Sequence, residues 1–135
     1  SLTEISYFMR PIMESIKAYR SQLYFLDSVT TSRSVAHIEA INSGLDSVKR
    51  DVFLDNEHTN PESIKFQFDL WLDKARDTGS AVAIGHPHPE TIAFLTENLP
   101  LFEKNFRFMR LSELISAAKT ASRLLEPQAY LTNFE

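Results

Sequence analysis

The sequence predicts an α/β protein in which parallel strands alternate with helices, with about four strands. Short apolar runs are separated by segments with helical periodicity, and caps, glycines and prolines punctuate them. Crossovers between such strands are right-handed and produce a parallel sheet. The length of 135 residues corresponds to one domain.

Composition narrows the class of protein. Hydrophobic residues make up 43% of the chain and include ten Phe, which favours a packed core. The formal charge of −4, without a basic cluster, argues against nucleic-acid binding. The absence of cysteine excludes disulfides, thiolate zinc sites and a cysteine nucleophile. No apolar run reaches the length of a membrane span, and residues 1–4 read as a helix start rather than a signal peptide.

The first half of the chain is predicted to hold two helices and two strands. Thr3 caps a first helix that Pro11 interrupts. Its apolar stripe consists of Ile5, Phe8, Ile12, Ile16 and Tyr19. The strand 23–26 ends at Asp27, and the strand 49–54 ends at Asp55. The helix between these strands presents Val35, Ile38 and Ile41 to the core and stops near Gly44.

The second half repeats this alternation. Asn60-Pro61 starts a third helix, which stops at Gly79 and buries Ile64, Phe68, Trp71, Leu72 and Ala75. After the strand 81–84 comes a helix that turns Ile92, Leu95 and Leu99 inward and ends at Pro100. The last predicted elements are a short strand over residues 106–109 and a helix capped by Ser112 that runs to about Leu125.

The junction after the third strand is the strongest functional signal. Gly85 lets the backbone turn or approach a ligand, and His86 and His88 each precede a proline. Pro89 suits the first turn of a helix. Strand ends of this kind are where α/β proteins place their chemistry. The alternative is that the histidines only cap the following helix.

Three polar residues should converge with this junction. Asp27, Asp55 and His86 each follow a predicted strand, and the carboxyl ends of parallel strands lie at one edge. Such a sheet could be a small flavodoxin-like domain. It could also be half of an eight-stranded barrel, which needs about 250 residues.

Other polar residues admit two interpretations each. Asp51 faces the same side as Asp55 and needs a partner, either a catalytic histidine or a salt bridge. Asp27 either orients a histidine or forms an Asx turn with its own loop. Arg33 could stabilise an anionic intermediate or be an ordinary surface residue. Residues 55–58 favour a solvated acidic loop over a metal cluster, and His37 is expected at the surface.

Four segments resemble the divergent polysaccharide deacetylase family. They are Tyr24-Phe-Leu-Asp-Ser28 with Thr30-Thr31, Arg50-Asp-Val-Phe-Leu-Asp-Asn56, Ala83-Ile-Gly-His-Pro-His-Pro-Glu-Thr91 and Leu111-Ser-Glu-Leu114. Their order and spacing match the family from about Thr3 to Lys119. The resemblance implies a distorted (β/α) barrel about twice this length, of which residues 1–125 form the carboxyl-terminal half and residues 126–135 a tail.

The same resemblance implies metal-assisted hydrolysis of an acylated carbohydrate. The family's metal-binding motifs belong to the first half of the domain and are not found in this sequence. We therefore expect zinc, or another divalent ion, in the complete domain and no tightly bound metal in these 135 residues. The implied partners are the carbohydrate and the complementary half of the barrel, without nucleic acid. The implied location is periplasmic or extracytoplasmic.

The resemblance also suggests roles for individual residues. His86 corresponds to a late histidine of the family and would protonate the leaving amine, with Asp27 and Asp51 as supporting catalytic carboxylates. Arg33 and His88 would contact substrate. Two other functions stay open: a non-enzymatic domain that binds glycan or an envelope protein, and a different metal-dependent hydrolase such as a phosphoesterase.

Overall fold

The computed structural model describes residues 1–19 and 22–132, with side chains as far as residue 121. Residues 1–101 form one compact unit, and the chain from Phe102 onward forms a second. The helices are α1 (Ser6–Tyr19), α2 (Ala36–Asn42), α3 (Pro61–Thr78), α4 (Pro89–Phe102) and α5 (Leu111–Thr132), with a 3-10 turn (Leu2–Glu4) before α1. The strands are β1 (Tyr24–Asp27), β2 (Asp46–Lys49), β3 (Val52–Phe53) and β4 (Ala83–Ile84). The predicted α/β class with parallel strands is confirmed.

One continuous stretch, residues 46–53, contributes a strand to each of the two strand pairs. The first half of this stretch is β2, which pairs in parallel with β1, and the second half is β3, which pairs in parallel with β4. The change of partner falls at two neighbouring residues. The amide of Arg50 donates to Asp27 O at 2.9 Å, and the amide of Asp51 donates to Val82 O at 2.8 Å. The parallel β1–α2–β2 and β3–α3–β4 units are therefore joined through one stretch of chain.

Two strand predictions differ from the structure. The strand β2 has the sequence Asp-Ser-Val-Lys and lacks the apolar run by which the other strands were predicted. Residues 106–109, predicted to form a fourth strand, are not in a strand. A strand exists only where a neighbour supplies backbone hydrogen bonds, and the described part of the chain pairs no strand with this segment.

The faces that α1 and α2 bury match the prediction only in part, since Ile16 and Val35 pack against the core. The core between them consists of Met9, Met13, Ala36, Ala40 and Leu45. The predicted residues Ile5, Phe8 and Ile12 of the α1 stripe are exposed, as are Ile38 and Ile41 of α2. The side chains of the two alanines are small, so α2 can approach α1 closely through them. Pro11 lies within α1, which continues past it as one helix.

A buried carboxylate also directs this packing. Glu39 of α2 is 4% exposed and accepts a hydrogen bond from Arg10 Nε of α1 at 3.1 Å. Hydrogen bonds from Arg10 and Ser6 hold the pKa of Glu39 below its ordinary value, against the opposing effect of burial. A charged residue thus occupies a position on the α2 face where the apolar pattern predicts none.

The helix α3 forms as predicted. Asn60 caps its first turn, since its side-chain oxygen accepts from the amides of Glu62 and Ser63 at 3.1 and 3.4 Å. Ile64, Phe68 and Leu72 are buried along one face. The ring of Phe68 meets the rings of Trp71 and Phe94 edge-on, with centroids 5.8 and 5.4 Å apart.

Replacing Asn60 with alanine should lower the free energy of unfolding by about 1 kcal/mol, because two amides of the first turn lose their acceptor. Urea denaturation measures this change. Asn60→Asp is the matched control, since aspartate caps a helix about as well as asparagine. Equal losses in both variants would show that the cap does not stabilise the protein.

Gly79 ends α3 in the left-handed region, with φ of 86°. A Cβ atom at this position would meet nothing within 4 Å, so alanine would be strained but not crowded. We expect Gly79→Ala to cost about 1 kcal/mol through backbone conformation alone. The exposed neighbour Ser80, replaced by alanine, serves as the control in the same thermal melts. An unchanged melting temperature for Gly79→Ala would contradict the assignment of strain.

The last two helices depart from the predicted bounds and faces. Ile92 of α4 was predicted inward but is 52% exposed, and Thr91 beside it is buried instead. Pro100 lies inside α4. The helix α5 starts at Leu111 and continues beyond the predicted end, to Thr132, while residues 133–135 lie outside the described residues. No helix in the described part of the chain has the length and apolar character that a membrane crossing needs.

Candidate active site

The strands β3 and β4 end side by side and bring two predicted site residues together. Phe53 is in register with Ile84, and the amide of Leu54 donates to Ile84 O at 2.8 Å. The next residues along the two chains include Asp55 and His86. The predicted convergence at the carboxyl ends of parallel strands is therefore realised for this pair.

Asp55 is the buried anchor of the site. The residue is only 4% exposed, and both of its side-chain oxygens accept hydrogen bonds. Oδ2 accepts from the amide of His86 at 2.5 Å and from Thr91 Oγ1 at 3.1 Å, while Oδ1 is 3.1 Å from His86 Nδ1. Burial raises the pKa of Asp55, but the hydrogen bonds from His86 and Thr91 outweigh it, so the pKa lies below its ordinary value. Asp55 is thus a carboxylate at neutral pH.

The charge on Asp55 determines the tautomer of His86. A carboxylate can only accept, so Nδ1 of His86 must carry the hydrogen of their shared bond. Nε2 is then the ring atom that can exchange a proton with a bound molecule. The His86 side chain is 54% exposed, so a ligand can reach it. The ring of Phe53 meets it edge-on, with centroids 5.1 Å apart.

Gly85 lies in close contact with Thr91, Leu54 and Asp55, where a side chain would be crowded. A Cβ atom on it would lie 3.3 Å from Thr91 Cγ2, 3.5 Å from Leu54 Cδ1 and 3.6 Å from Asp55 Oδ2. The first of these distances is tighter than ordinary van der Waals contact. The absence of a side chain at residue 85 therefore lets the turn sit against Asp55 while α4 begins at Pro89.

Two further histidines adjoin His86. The rings of His58 and His88 are stacked, with centroids 3.8 Å apart and planes 14° apart. The centroids of His86 and His88 are 5.8 Å apart. The segment 55–58 was predicted to be a solvated acidic loop, and this is wrong for its first residue, since Asp55 is buried and bonded.

Three residues of the site could in principle bind a metal ion. Asp55, His86 and His88 each offer a ligand atom, and these atoms lie within 4.8 Å of one another. Both oxygens of Asp55 nevertheless already accept from N–H and O–H donors, two of which belong to His86 itself. The bonding fits a hydrogen-bonded acid better than a set of three metal ligands.

Asp27 ends β1 as predicted, but its hydrogen bonds go to its own loop and to α2, not to Asp55 or His86. It is in register with Lys49, six positions before Asp55 along the chain. Its Oδ1 accepts from the amide of Val29 at 2.9 Å, and its Oδ2 accepts from Ser34 Oγ at 2.7 Å. The amide of His37 donates to the same Oδ2 at 3.3 Å. The structure thus shows the Asx turn, extended to the first turn of α2.

Asp51 and Arg33 likewise interact with residues other than His86. The exposed carboxylate of Asp51 accepts from the amide of Val82 at 2.8 Å, so Asp55, not Asp51, is the residue that holds the histidine. Arg33 pairs with Glu4 at 3.0 Å and is 79% exposed. His37, expected at the surface, is half-buried and lies 2.8 Å from Ser47 Oγ through Nδ1.

An apolar groove of about 350 Å³ opens beside His86. Trp71, Leu95 and Leu99 line it together with Ile92, which explains the exposure of that residue. Trp71 donates its indole N–H to Ala81 O at 3.0 Å. A ligand bound at His86 would have an apolar surface next to it.

Sequence reasoning missed Thr91 and His58 as members of the site. Thr91 appears in the sequence as an ordinary first-turn residue of α4, and its contact with Asp55 depends on how α4 packs. His58 follows Asp55 by three residues, which is a weak signal because loop direction decides where it lies.

The fold and site define a parallel α/β protein with an aspartate–histidine pair at its strand ends. Comparison with known proteins assigns the family: residues 1–115 match the divergent polysaccharide deacetylases, and the chain belongs to that family. It is 38% identical over 130 residues to "Uncharacterized protein YibQ" of Escherichia coli K12, with 94% of this chain and 36% of that protein covered.

Two further comparisons agree with this. An "Uncharacterized protein" of Haemophilus influenzae is 34% identical over 110 residues, covering 82% of this chain and 37% of that protein. The crystal structure of uncharacterized protein ATU2773 from Agrobacterium tumefaciens shares the fold, with a TM-score of 0.75 and 23% identity over 84% of this chain and 45% of that one. The chain thus spans little more than a third of the length of the curated relatives.

Proposed function

We propose that this protein takes part in the hydrolysis of an N-acylated or otherwise acylated carbohydrate, with His86 as the acid. The observation that carries the proposal is the bonding of His86 to the buried carboxylate of Asp55 through Nδ1. Family membership supplies the substrate class. In the proposed reaction, a carboxylate of the complementary half takes a proton from water as the water oxygen adds to the acyl carbon. The C–N bond then breaks as His86, protonated at both ring nitrogens, gives its Nε2 proton to the departing amine.

Asp55 keeps the ring in place throughout this step. Because Nδ1 stays bonded to the carboxylate, the ring can give up and regain a proton at Nε2 without changing its orientation. His88, beside His86, is proposed to contact the substrate. We propose indirect roles for the other predicted site residues. Asp27 shapes the loop after β1, and Asp51 binds the amide of Val82 next to β4. Arg33 forms an ion pair with Glu4.

The divalent ion of this chemistry, zinc in our proposal, would be held by residues beyond this chain. When bound, it polarises the acyl carbonyl and activates water. We propose that the complementary part of the barrel supplies those ligands, and that the protein works outside the cytoplasm on an envelope polysaccharide.

The test uses the full-length protein and a panel of substrates. Release of free amine from N-acetylated oligosaccharides is expected, together with a bound divalent ion found by elemental analysis. Hydrolysis of phosphoesters instead would favour a phosphoesterase. Binding of the oligosaccharides without turnover, and without metal, would favour a glycan-binding domain and contradict the proposed hydrolysis.

A further inference from the structure

Val29, in the loop after β1, has an unusual backbone conformation. Its φ is 51°, in the left-handed region that β-branched residues avoid. Two charged side chains hold this residue. Its amide donates to Asp27 Oδ1 at 2.9 Å, and its carbonyl accepts from Arg50 Nη2 at 2.8 Å. Strain of this kind persists only where the surroundings impose it, so Asp27 and Arg50 together fix the loop.

Arg50 makes two further contacts that lead toward the site. Its Nε donates to the carbonyl of Ser28 at 2.6 Å, so its planar fork binds two successive carbonyls. Its guanidinium lies over the ring of Phe53, 4.9 Å from the centroid. Phe53 is the residue whose ring meets His86 edge-on. A continuous series of contacts therefore joins the Val29 loop to the imidazole.

We propose that Arg50 is a positioning residue for His86, acting through Phe53. The loop carbonyls fix the guanidinium, the guanidinium fixes the plane of the Phe53 ring, and that ring holds the imidazole in line with Asp55. Arginine suits this position because its rigid fork can bind two carbonyls while its flat face covers an aromatic ring. The inference that this orientation matters for catalysis rests on the proposed function. The orientation of the His86 ring by Arg50 and Phe53 does not depend on that function.

A second explanation must be separated from this one. Arg50 could serve only to hold Val29 in its strained conformation, with no effect on His86. Val29→Gly distinguishes the two explanations, because glycine adopts a positive φ without strain. In the Val29→Gly background the loop no longer needs the clamp, and any remaining effect of Arg50 must pass through Phe53.

The experiment measures the tautomer of His86 in the full-length protein, by ¹⁵N NMR of labelled histidine with the signal assigned from its loss in His86→Gln. The parent protein should show Nδ1 protonated in the neutral ring. Arg50→Met and Phe53→Leu should each give a mixture of the two tautomers. Val29→Gly alone should leave the tautomer unchanged, and Val29→Gly with Arg50→Met should match Arg50→Met.

Two results would overturn the proposal. One is an unchanged tautomer in Arg50→Met, or in the double variant if the single variant does not fold. The other is a double variant that recovers the parent tautomer, which would confine Arg50 to the loop.

Activity gives an independent readout. If the protein deacetylates its substrate, Arg50→Met should lower kcat by about ten- to a hundredfold through misorientation, with KM within about twofold of the parent. Arg50→Lys, which keeps the charge but not the fork, should recover only part of this loss. An inactive parent protein would defeat the proposed function, while the tautomer measurement would still decide the position of Arg50.

Discussion

Replacing His86 with glutamine is expected to lower the deacetylation rate of the full-length protein by about 10²–10⁴-fold. Glutamine fills a similar volume and can still donate to Asp55, but it cannot transfer a proton to the leaving amine. Substrate binding should change little, so the loss should appear in kcat rather than in KM. Steady-state kinetics on an N-acetylated oligosaccharide measure both quantities.

His37→Gln is the matched control for this substitution. His37 is the histidine of α2, it contacts Ser47, and it lies in the same compact unit but outside the proposed site. It should retain the parent rate in a folded variant. A His86→Gln protein as fast as the parent would remove His86 from the mechanism, and equal losses in both variants would indicate damage to the fold instead.

Replacing Asp55 with asparagine should have the largest effect on stability. Asp55 accepts from three donors at a buried position, and asparagine has one oxygen and an amide group that would face those donors. Leaving a buried donor without its acceptor costs about 1–3 kcal/mol, which urea denaturation at neutral pH resolves. Asp77→Asn, an exposed position on α3, removes the same charge and should change stability by less than about 0.5 kcal/mol.

The same comparison has a predictable pH dependence. The pKa of Asp55 is lower in the folded protein than its ordinary value, so ionised Asp55 stabilises the fold. This contribution is complete above about pH 4, the ordinary range for aspartate, and is lost as the pH falls through the lower folded value. The stability difference between the parent and Asp55→Asn should therefore shrink in acid. A difference that is constant from pH 7 to pH 2 would contradict the role of the charge.

The sequence predicted the α/β order and the site for identifiable physical reasons. The strand ends at Asp55 and His86 follow apolar runs, and the direction of parallel strands brings such ends together. The cap of α3 is equally local, because Asn60 and Pro61 act within one turn.

The predictions that failed depend on contacts between distant segments. The buried faces of α1 and α2 are set by Met13, Ala40 and the pair Arg10–Glu39, and an apolar periodicity cannot reveal that small or charged residues will be the ones covered. Asp51 was predicted as a possible partner of a catalytic histidine, but Asp55 is the observed partner of His86, for the same reason. This outcome depends on Asp51 being used for the amide of Val82 where the chain changes partner.

That change of partner at Arg50 and Asp51 also constrains the folding of the sheet. Residues 46–53 supply one strand to each pair, and because strand faces alternate, a slip of one residue in either pair would turn the side chains of that strand to the opposite face. The register of both pairs is therefore specified along one continuous stretch of chain. The β3–β4 pairing aligns Asp55 with His86, while Tyr24–Asp27 pairs with the other end of the same stretch and contributes no atom to the aspartate–histidine pair.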